Sequence, residues 1–317
     1  MRNYSQKPKP RDSALASRFF AALSRYKYLY LMLVPGIALL VVFRYGPMYG
    51  NLIAFQKYRP ARGIFGSPWI GFDNFAKFFK DPYSYTLIKN TILLGVYNLL
   101  WTFPAPIILA LMFNEVRNYR LKKYMQTLSY LPYFISTVVI VGIVKELCSV
   151  RTGLINQVIT GLGHEPVDFF IMPEWFRTIY IASGIWQGIG FGTILYLAAI
   201  ASIDIELYES AVMDGSNRFK NMVYITVPSM MPTISVMLIL AMGGLLGNDF
   251  TKILLIYSPI TYDTADVLQT YTYRLGVLGG NYGYTGAVSL LNSAVSFIFL
   301  YVTNLMTKKI DKVNSLW

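Results

Sequence analysis

The sequence is short of charge, of histidine and of cysteine. Asp, Glu, Lys and Arg make up 14% of the 317 residues, against about a quarter in soluble domains. Cys148 is the single cysteine, so no internal disulfide forms, and its place near the end of an apolar run reads as packing. His164 is the single histidine; it cannot build a His-based metal site and reads as an exposed loop residue. The chain has no G-x-x-x-x-G-K-[ST] phosphate loop, no H-E-x-x-H, no G-x-S-x-G elbow and no Cys-x-x-Cys, which leaves it without the groups that hydrolytic, nucleotide or thiol chemistry requires. Any ATP hydrolysis must come from another polypeptide.

Apolar residues are abundant, at 55%, and they are gathered in blocks. A helix rises 1.5 Å per residue, so about 20 apolar residues cross the hydrocarbon layer. Six spans are predicted, at Tyr28–Tyr49, Thr86–Leu111, Tyr124–Leu147, Thr178–Ala201, Ser229–Gly247 and Val288–Met306. The chain is thus expected to be an all-α integral membrane protein. Pro35, Pro104, Pro106 and Pro132 fall inside spans, where neighbouring helices or water can satisfy the carbonyls they free.

The formal net charge of +12 is distributed as topology requires, and no nucleic-acid-binding motif accompanies it. Segments 1–27, 112–123, 202–228 and 307–317 share one side and carry 16 Lys/Arg and 7 acids. The other side carries 12 Lys/Arg and 9 acids, including the basic residues Lys57, Arg59, Arg62, Lys77 and Lys80 of its first loop. The bias places both termini in the cytoplasm. Residues 1–27 form either a helix on the inner membrane surface, with Arg18 and Arg25 flanking Phe19, Phe20, Ala22 and Leu23, or a solvated tail. Residues 28–306 make the membrane domain and 307–317 a C-terminal tail.

On the opposite side, Asp73 is expected to cap a short helix carrying Phe75, Phe78 and Phe79, closed by Asp81-Pro82. Segments 148–177 and 248–287 read as polar loops on the face that an external solute meets first.

The segment 202–228, SIDIELYESAVMDGSNRFKNMVYITVP, holds the densest local signals. Asp204 is a predicted N-cap, with Glu206 and Glu209 near the positive end of the helix dipole. Tyr208, Ala211 and Val212 fall on one face. Asp214-Gly215 offers a left-handed stop, Ser216 a second cap, Phe219, Met222 and Val223 a second apolar side, and Pro228 an end. The product is a pair of short helices below the membrane, with a small residue, an aromatic and an acid on a face suited to a groove on a partner protein. Ala211 allows close approach, Tyr208 supplies area and Glu209 a charge.

Glu209-Ser210-Ala211-Val212-Met213-Asp214-Gly215, with Phe219 and Ile225-Thr226-Val227-Pro228, closely resembles the "EAA" loop of ABC importer permeases, where Glu-Ala-Ala, Asp-Gly-Ala and Ile-x-Leu-Pro follow in turn. Ser210, Ser216 and Val227 are the departures. PGIALLVVFRYGPMYGNLIAFQKY, WIGFDNFAKFF, Asn90-Thr91, LSYLPYFISTVVIVGI and SPITYDTADVLQTYTYRLGV extend the resemblance to the oligosaccharide and polysaccharide permeases of that family. The resemblance implies a type I ABC importer permease fold, with the loop as a coupling helix seated on a cytoplasmic ATPase through Tyr208, Glu209, Ser210, Ala211, Val212, Asp214, Gly215 and Phe219. It implies a second, similar six-span permease, two ATPase subunits that hold ATP and Mg, and an extracellular or periplasmic solute-binding protein. It implies a bacterial inner membrane and no cofactor on this chain.

Polar groups within spans are costly unless paired or facing a cavity. Asn98, Trp101, Thr102, Tyr133, Trp186, Gln187, Asn248, Asp249 and Asn292 are therefore candidates for a solute path. Asn98, Tyr133, Trp186, Gln187, Asn248 and Asp249 offer the amide, carboxylate and aromatic partners that a sugar takes. The alternative for each is a tie between helices. Lys145 and Glu146 read as interfacial. An ion-coupled transporter, the rival reading, would need ionisable groups at mid-membrane, and few acids lie there; a non-transporting scaffold would need neither a polar cavity nor an ATPase.

Overall fold

The computed structural model describes residues 25–310. The amphipathic stretch around Arg18–Leu23 and most of the C-terminal tail lie outside the described residues. Among those described the fold is helical, and its sole extended pairing is one bridge between Gln56 and Trp69.

Five helices are long and apolar enough to cross a membrane, and a bent pair makes a sixth span. They are α1 (Lys27–Phe55), α3 (Tyr83–Glu115), the pair α4 (Tyr119–Phe134) and α5 (Thr137–Leu147), α7 (Pro173–Ala201), α9 (Arg218–Gly243) and α12 (Tyr282–Ile310). Shorter helices are α2 (Asp73–Lys80), α6 (Leu154–Gly161), α8 (Ile205–Met213), α10 (Phe250–Ile256) and α11 (Leu268–Thr272). Each observed span contains or overlaps its predicted run. The ends differ because polar termini such as Tyr83 and Arg218 are held by tertiary contacts that hydropathy does not see.

The third span departs most from expectation. The run Tyr124–Leu147 reads as one helix, but α4 and α5 meet at 105°. Pro132 lies in the 3-10 turn Leu131–Phe134 before the break. It removes a donor and clashes with the preceding turn. Gly190 of α7 allows the broken segment to pass: a Cβ there would fall on the Ser129 backbone.

Two other prolines are absorbed differently. Pro228 does not end a helix as expected; α9 runs through it. A π turn at Met222–Thr226 comes just before it, as one at Val41–Tyr45 comes before Pro47. The wider turn makes room where the proline ring would otherwise meet a carbonyl.

Helix α7 is the centre of the molecule, packed against α3, α4, α5, α9 and α10. Leu94, Val141, Cys148, Phe176, Ile179 and Ile253 form the core around its first half, and Ala110, Tyr196, Ile200 and Met230 the core around its second. Cys148 is thus a packing residue, and His164 is exposed. By contrast, no residue of Lys27–Leu40 is buried.

Segment 248–287 is a folded cap rather than a polar loop. It carries the buried residues Ile253, Ile256, Ala265, Val267, Leu268 and Tyr271. Asp266 anchors it with no exposed surface. Its carboxylate accepts from Tyr83 Oη (2.8 Å), Thr270 Oγ1 (2.7 Å) and Arg274 Nη2 (2.6 Å). Burial alone would lower the Arg274 pKa, but Asp266 outweighs it and raises it. Nearby, α2 begins without a side-chain cap: Asp73 is its first residue, not the cap, and Asn74 instead pins the helix by donating to Ala54 O (2.8 Å).

Candidate functional site: a hairpin of short helices and a central cavity

The hairpin is built from local signals. Asp204 caps α8 by accepting from Glu206 N (3.1 Å). Gly215 takes φ 77°. Ser216 N then donates to Ala211 O (2.9 Å) and Gly215 N to Val212 O (3.0 Å), the paired closure that a left-handed residue after a helix permits. The second helix is capped by Asn217, which accepts from Lys220 N (2.9 Å), and not by Ser216. Both residues can cap; Ser216 is already engaged in closing α8.

The orientation of α8 differs from the expectation. Tyr208 and Ala211 are half-buried and turn toward the body of the protein. The Tyr208 hydroxyl meets Thr226 Oγ1 at 2.9 Å, and Thr226 is buried. Tyr208 is therefore a brace between α8 and α9. The outward face carries Glu209, Ser210, Val212, Asp214, Gly215 and Phe219, together with Ile205, Leu207 and Met213, which sequence reasoning did not select. Met213 is 88% exposed. Four aliphatic side chains and a phenyl ring left exposed beside Glu206, Glu209 and Asp214 are surface of the kind that marks a contact with another molecule. The one ion pair here, Arg218–Glu115 at 3.7 Å, is exposed and adds little.

A cavity of about 440 Å³ lies between α3, α7, α9 and the turn after α9. It brings together Asn98, Thr102, Asn248 and Asp249 with Tyr180 and Tyr196. Gly95 and Gly192 let the cavity walls pack closely, since a Cβ at either would meet the Leu245 carbonyl or the Pro106 ring. Asn98 Oδ1 accepts from Thr102 Oγ1 (2.8 Å). Asn248 Nδ2 reaches Thr91 O at 3.4 Å, and its buried Oδ1 has no partner. A buried acceptor left unpaired is costly, and a hydroxyl entering the cavity would satisfy it. Asp249 N donates to Tyr180 Oη (2.9 Å), and its carboxylate caps α10 through Lys252 N (3.0 Å). Lys252 itself is buried, with Nζ 5.9 Å from the centre of the Tyr180 ring. Burial depresses its pKa, and Asp249 opposes the shift.

The other candidates fall elsewhere. Tyr133 stacks on Phe191 with centroids 3.9 Å apart and planes within 4°, and Phe134 meets both edge-on. This exposed aromatic cluster stands at the break between α4 and α5. Gln187 Nε2 donates to Ile135 O (3.1 Å), a carbonyl at that break, so its amide serves as a tie. Trp186 lines a separate, apolar recess with Cys148, Phe169 and Trp175. Trp101 lies in a further cavity, and Asn292 in a small apolar one. Lys145 lies over the Phe170 ring and Glu146 accepts from Thr152. Replacing Gln187 by leucine should lower stability by about 1–3 kcal/mol, because the Ile135 carbonyl loses its partner where water is scarce. Thermal unfolding of the purified protein in detergent reads this; an unchanged midpoint would remove Gln187 from the break.

The chain is similar to known proteins over most of its length. The family model described as "Binding-protein-dependent transport system inner membrane component" matches residues 102–312. Protein LplB of Bacillus subtilis (strain 168) is 42% identical over 310 residues, covering 96% of this chain and 98% of that protein. The polygalacturonan/rhamnogalacturonan transport system permease protein YteP of the same organism is 42% identical over 292 residues, covering 92% and 91%. Among solved structures, a chain of the bacterial alginate ABC transporter in complex with alginate pentasaccharide-bound periplasmic protein superposes with a TM-score of 0.87 at 41% identity, covering 94% of this chain and 99% of that one.

Proposed function

Since this chain belongs to the family of binding-protein-dependent transport system inner membrane components, we propose that it is one of two six-span permeases in an ATP-driven importer of oligosaccharides or polysaccharides. It is a transport subunit of that family and not an enzyme. The observation that carries the reading is the outward face of the 204–228 hairpin, rigidly capped and apolar, beside acids. Such a surface calls for a protein to cover it. In this reading the cover is an ATPase, and Glu209 and Asp214 meet basic groups at the rim of its cleft.

A second permease completes the path. No residue of α1 over Lys27–Leu40 is buried against the described residues, so in this reading its sides belong to lipid and to a neighbouring subunit. The aromatic cluster of Tyr133, Phe134 and Phe191 and the cavity of Asn98, Asn248 and Asp249 supply stacking faces and hydroxyl partners along that path. A loaded binding protein docks on the face opposite the hairpin, where the 248–287 cap lies. Closure of the two ATPases around nucleotide pulls the hairpins together, and the spans rock so that the cavity changes sides. In this reading both termini lie in the cytoplasm of a bacterial cell, the side that the excess of Lys and Arg favours.

The test is uptake into proteoliposomes that hold this chain, its partner permease and the ATPases. Labelled oligosaccharide should accumulate only with both ATP inside and binding protein outside. Accumulation driven by an ion gradient without ATP would overturn the reading.

A further inference from the structure

At the cap end of the molecule a second cavity, of about 470 Å³, opens between α3 and α7, outside the Asn98–Asn248 cavity; Ile181, Ala182 and Ile185 form its apolar wall. Tyr97, Trp101, Glu174 and Arg177 line it. Trp101 is 63% exposed and Tyr97 is exposed as well. Arg177 is the unusual member. Its Nη2 donates to Asn90 Oδ1 at 3.0 Å, and its buried Nε has no partner. No carboxylate lies within ion-pair distance of it among the described residues, Glu174 included. Asn90 is held in turn, because its Nδ2 donates to the carbonyls of Asp263 and Asp266 at 3.0 and 3.1 Å. The cap therefore fixes the guanidinium from one side and leaves most of its N–H donors unspent.

Arg177 stands near the first turn of α7, held in place and given no counter-charge, so its guanidinium is available to an anion that enters the cavity. A guanidinium offers parallel N–H groups that match the two oxygens of a carboxylate. Trp101 and Tyr97 offer ring faces on which the apolar side of a pyranose can rest. A sugar ring bearing a carboxylate uses both at once. Resting on the importer reading above, we infer that Arg177, with Trp101 and Tyr97, forms a subsite selective for uronate units of an acidic glycan. Asn90 is the positioning residue.

The experiment uses the assembled transporter with its binding protein, in liposomes of neutral phosphatidylcholine. The substrates are an oligouronide and the same oligosaccharide with its carboxyls reduced to alcohols. Each is supplied at a concentration that saturates the binding protein, as titrated separately. Arg177→Gln should slow oligouronide uptake by about tenfold or more, the scale of a lost charge-assisted pair, and change uptake of the reduced glycan less than about twofold. Arg177→Lys should fall between, since it keeps the charge and loses the fork. Trp101→Ala, at an exposed position, should weaken uptake of both substrates alike. Equal effects of Arg177→Gln on the two substrates would overturn the inference. So would an effect that appears only when anionic lipid is added, which would make Arg177 a lipid-headgroup anchor. A wild-type transporter that carries neither glycan, or that carries both with Arg177→Gln unchanged, would overturn the subsite alone; one that moves glycans without ATP would overturn the importer reading itself.

Discussion

Replacing Gly215 by valine, or Glu209 by lysine, is expected to abolish uptake while the chain still inserts in the membrane. The two variants act on different physical links. Gly215 holds φ 77° and closes α8 through two backbone hydrogen bonds. A branched side chain is disfavoured in that region, at about 1–2 kcal/mol for an ordinary L-residue and more for a β-branched one. The cheapest escape is to reopen the turn, which swings α8 away from the direction that Asp204 and the Tyr208–Thr226 brace give it. No neighbouring side chain is displaced, since nothing lies within 4 Å of a Cβ at Gly215. Glu209→Lys leaves the fold alone, because the side chain is exposed and makes no ion pair among the described residues. It reverses a charge at a contact where like charges repel by several kcal/mol. The expected readout is a loss of co-purified ATPase of about tenfold or more for Glu209→Lys, with normal amounts of the chain in the membrane. Retention of both uptake and ATPase by these variants would detach the hairpin from energy coupling.

Asp266→Ala is expected to cause the largest loss of stability in the molecule. The carboxylate is fully buried and takes four hydrogen bonds, two of them from Arg274. Its main-chain oxygen also receives Asn90. Removing the carboxylate leaves the guanidinium over the Tyr262 ring, at 4.4 Å, with no counter-charge. Breaking one side of a buried pair costs about 3–5 kcal/mol. At about 2–4 °C per kcal/mol for chains of a few hundred residues, the midpoint of thermal unfolding in detergent should fall by roughly 10 °C. The double variant Asp266→Leu with Arg274→Met should be less damaged than the single one, because no charge is then stranded. A single variant as stable as the parent would mean that the cap is held by its apolar core alone. The same loss should reach Arg177, since Asn90 links it to the cap.

The spans are legible because a bilayer imposes one simple rule, a long apolar run, and this chain obeys it six times. What hydropathy does not show is where a span breaks. Pro132 stands in the sequence much as Pro104 and Pro106 do. Those two sit within a helix that stays continuous from Tyr83 to Glu115. The difference lies in residues far along the chain, where Gln187 takes up a freed carbonyl and Gly190 gives the detour room. The cap shows the converse. Its polar sequence reads as a loop, but Asp266, Thr270 and Arg274 are polar because they satisfy one another in the interior.

The hairpin is legible in its bends and not in its facing. Asp204 and Gly215 act within one turn of chain, so their signals are local. Tyr208 points inward because Thr226 waits 18 residues later with a hydroxyl, and helical periodicity alone does not say which side of a short helix is covered. Of the solute-path candidates, Asn98, Asn248 and Asp249 come together in one cavity, whereas Gln187 closes a helix break and Trp186 faces an apolar recess. Arg177 gives no signal in the sequence, because it stands at the edge of a predicted span, where an arginine needs no explanation.

The most direct test is a cross-link from the outward face of the hairpin. Met213→Cys in a Cys148→Ala background presents one thiol, at a position of α8 that is 88% exposed. In the assembled complex a short thiol–amine cross-linker should join this chain to the ATPase subunit, and a membrane-impermeant thiol reagent applied to intact cells should leave the introduced thiol unlabelled. Labelling from outside the cell, or an assembled complex in which no ATPase can be captured from this position, would contradict the account.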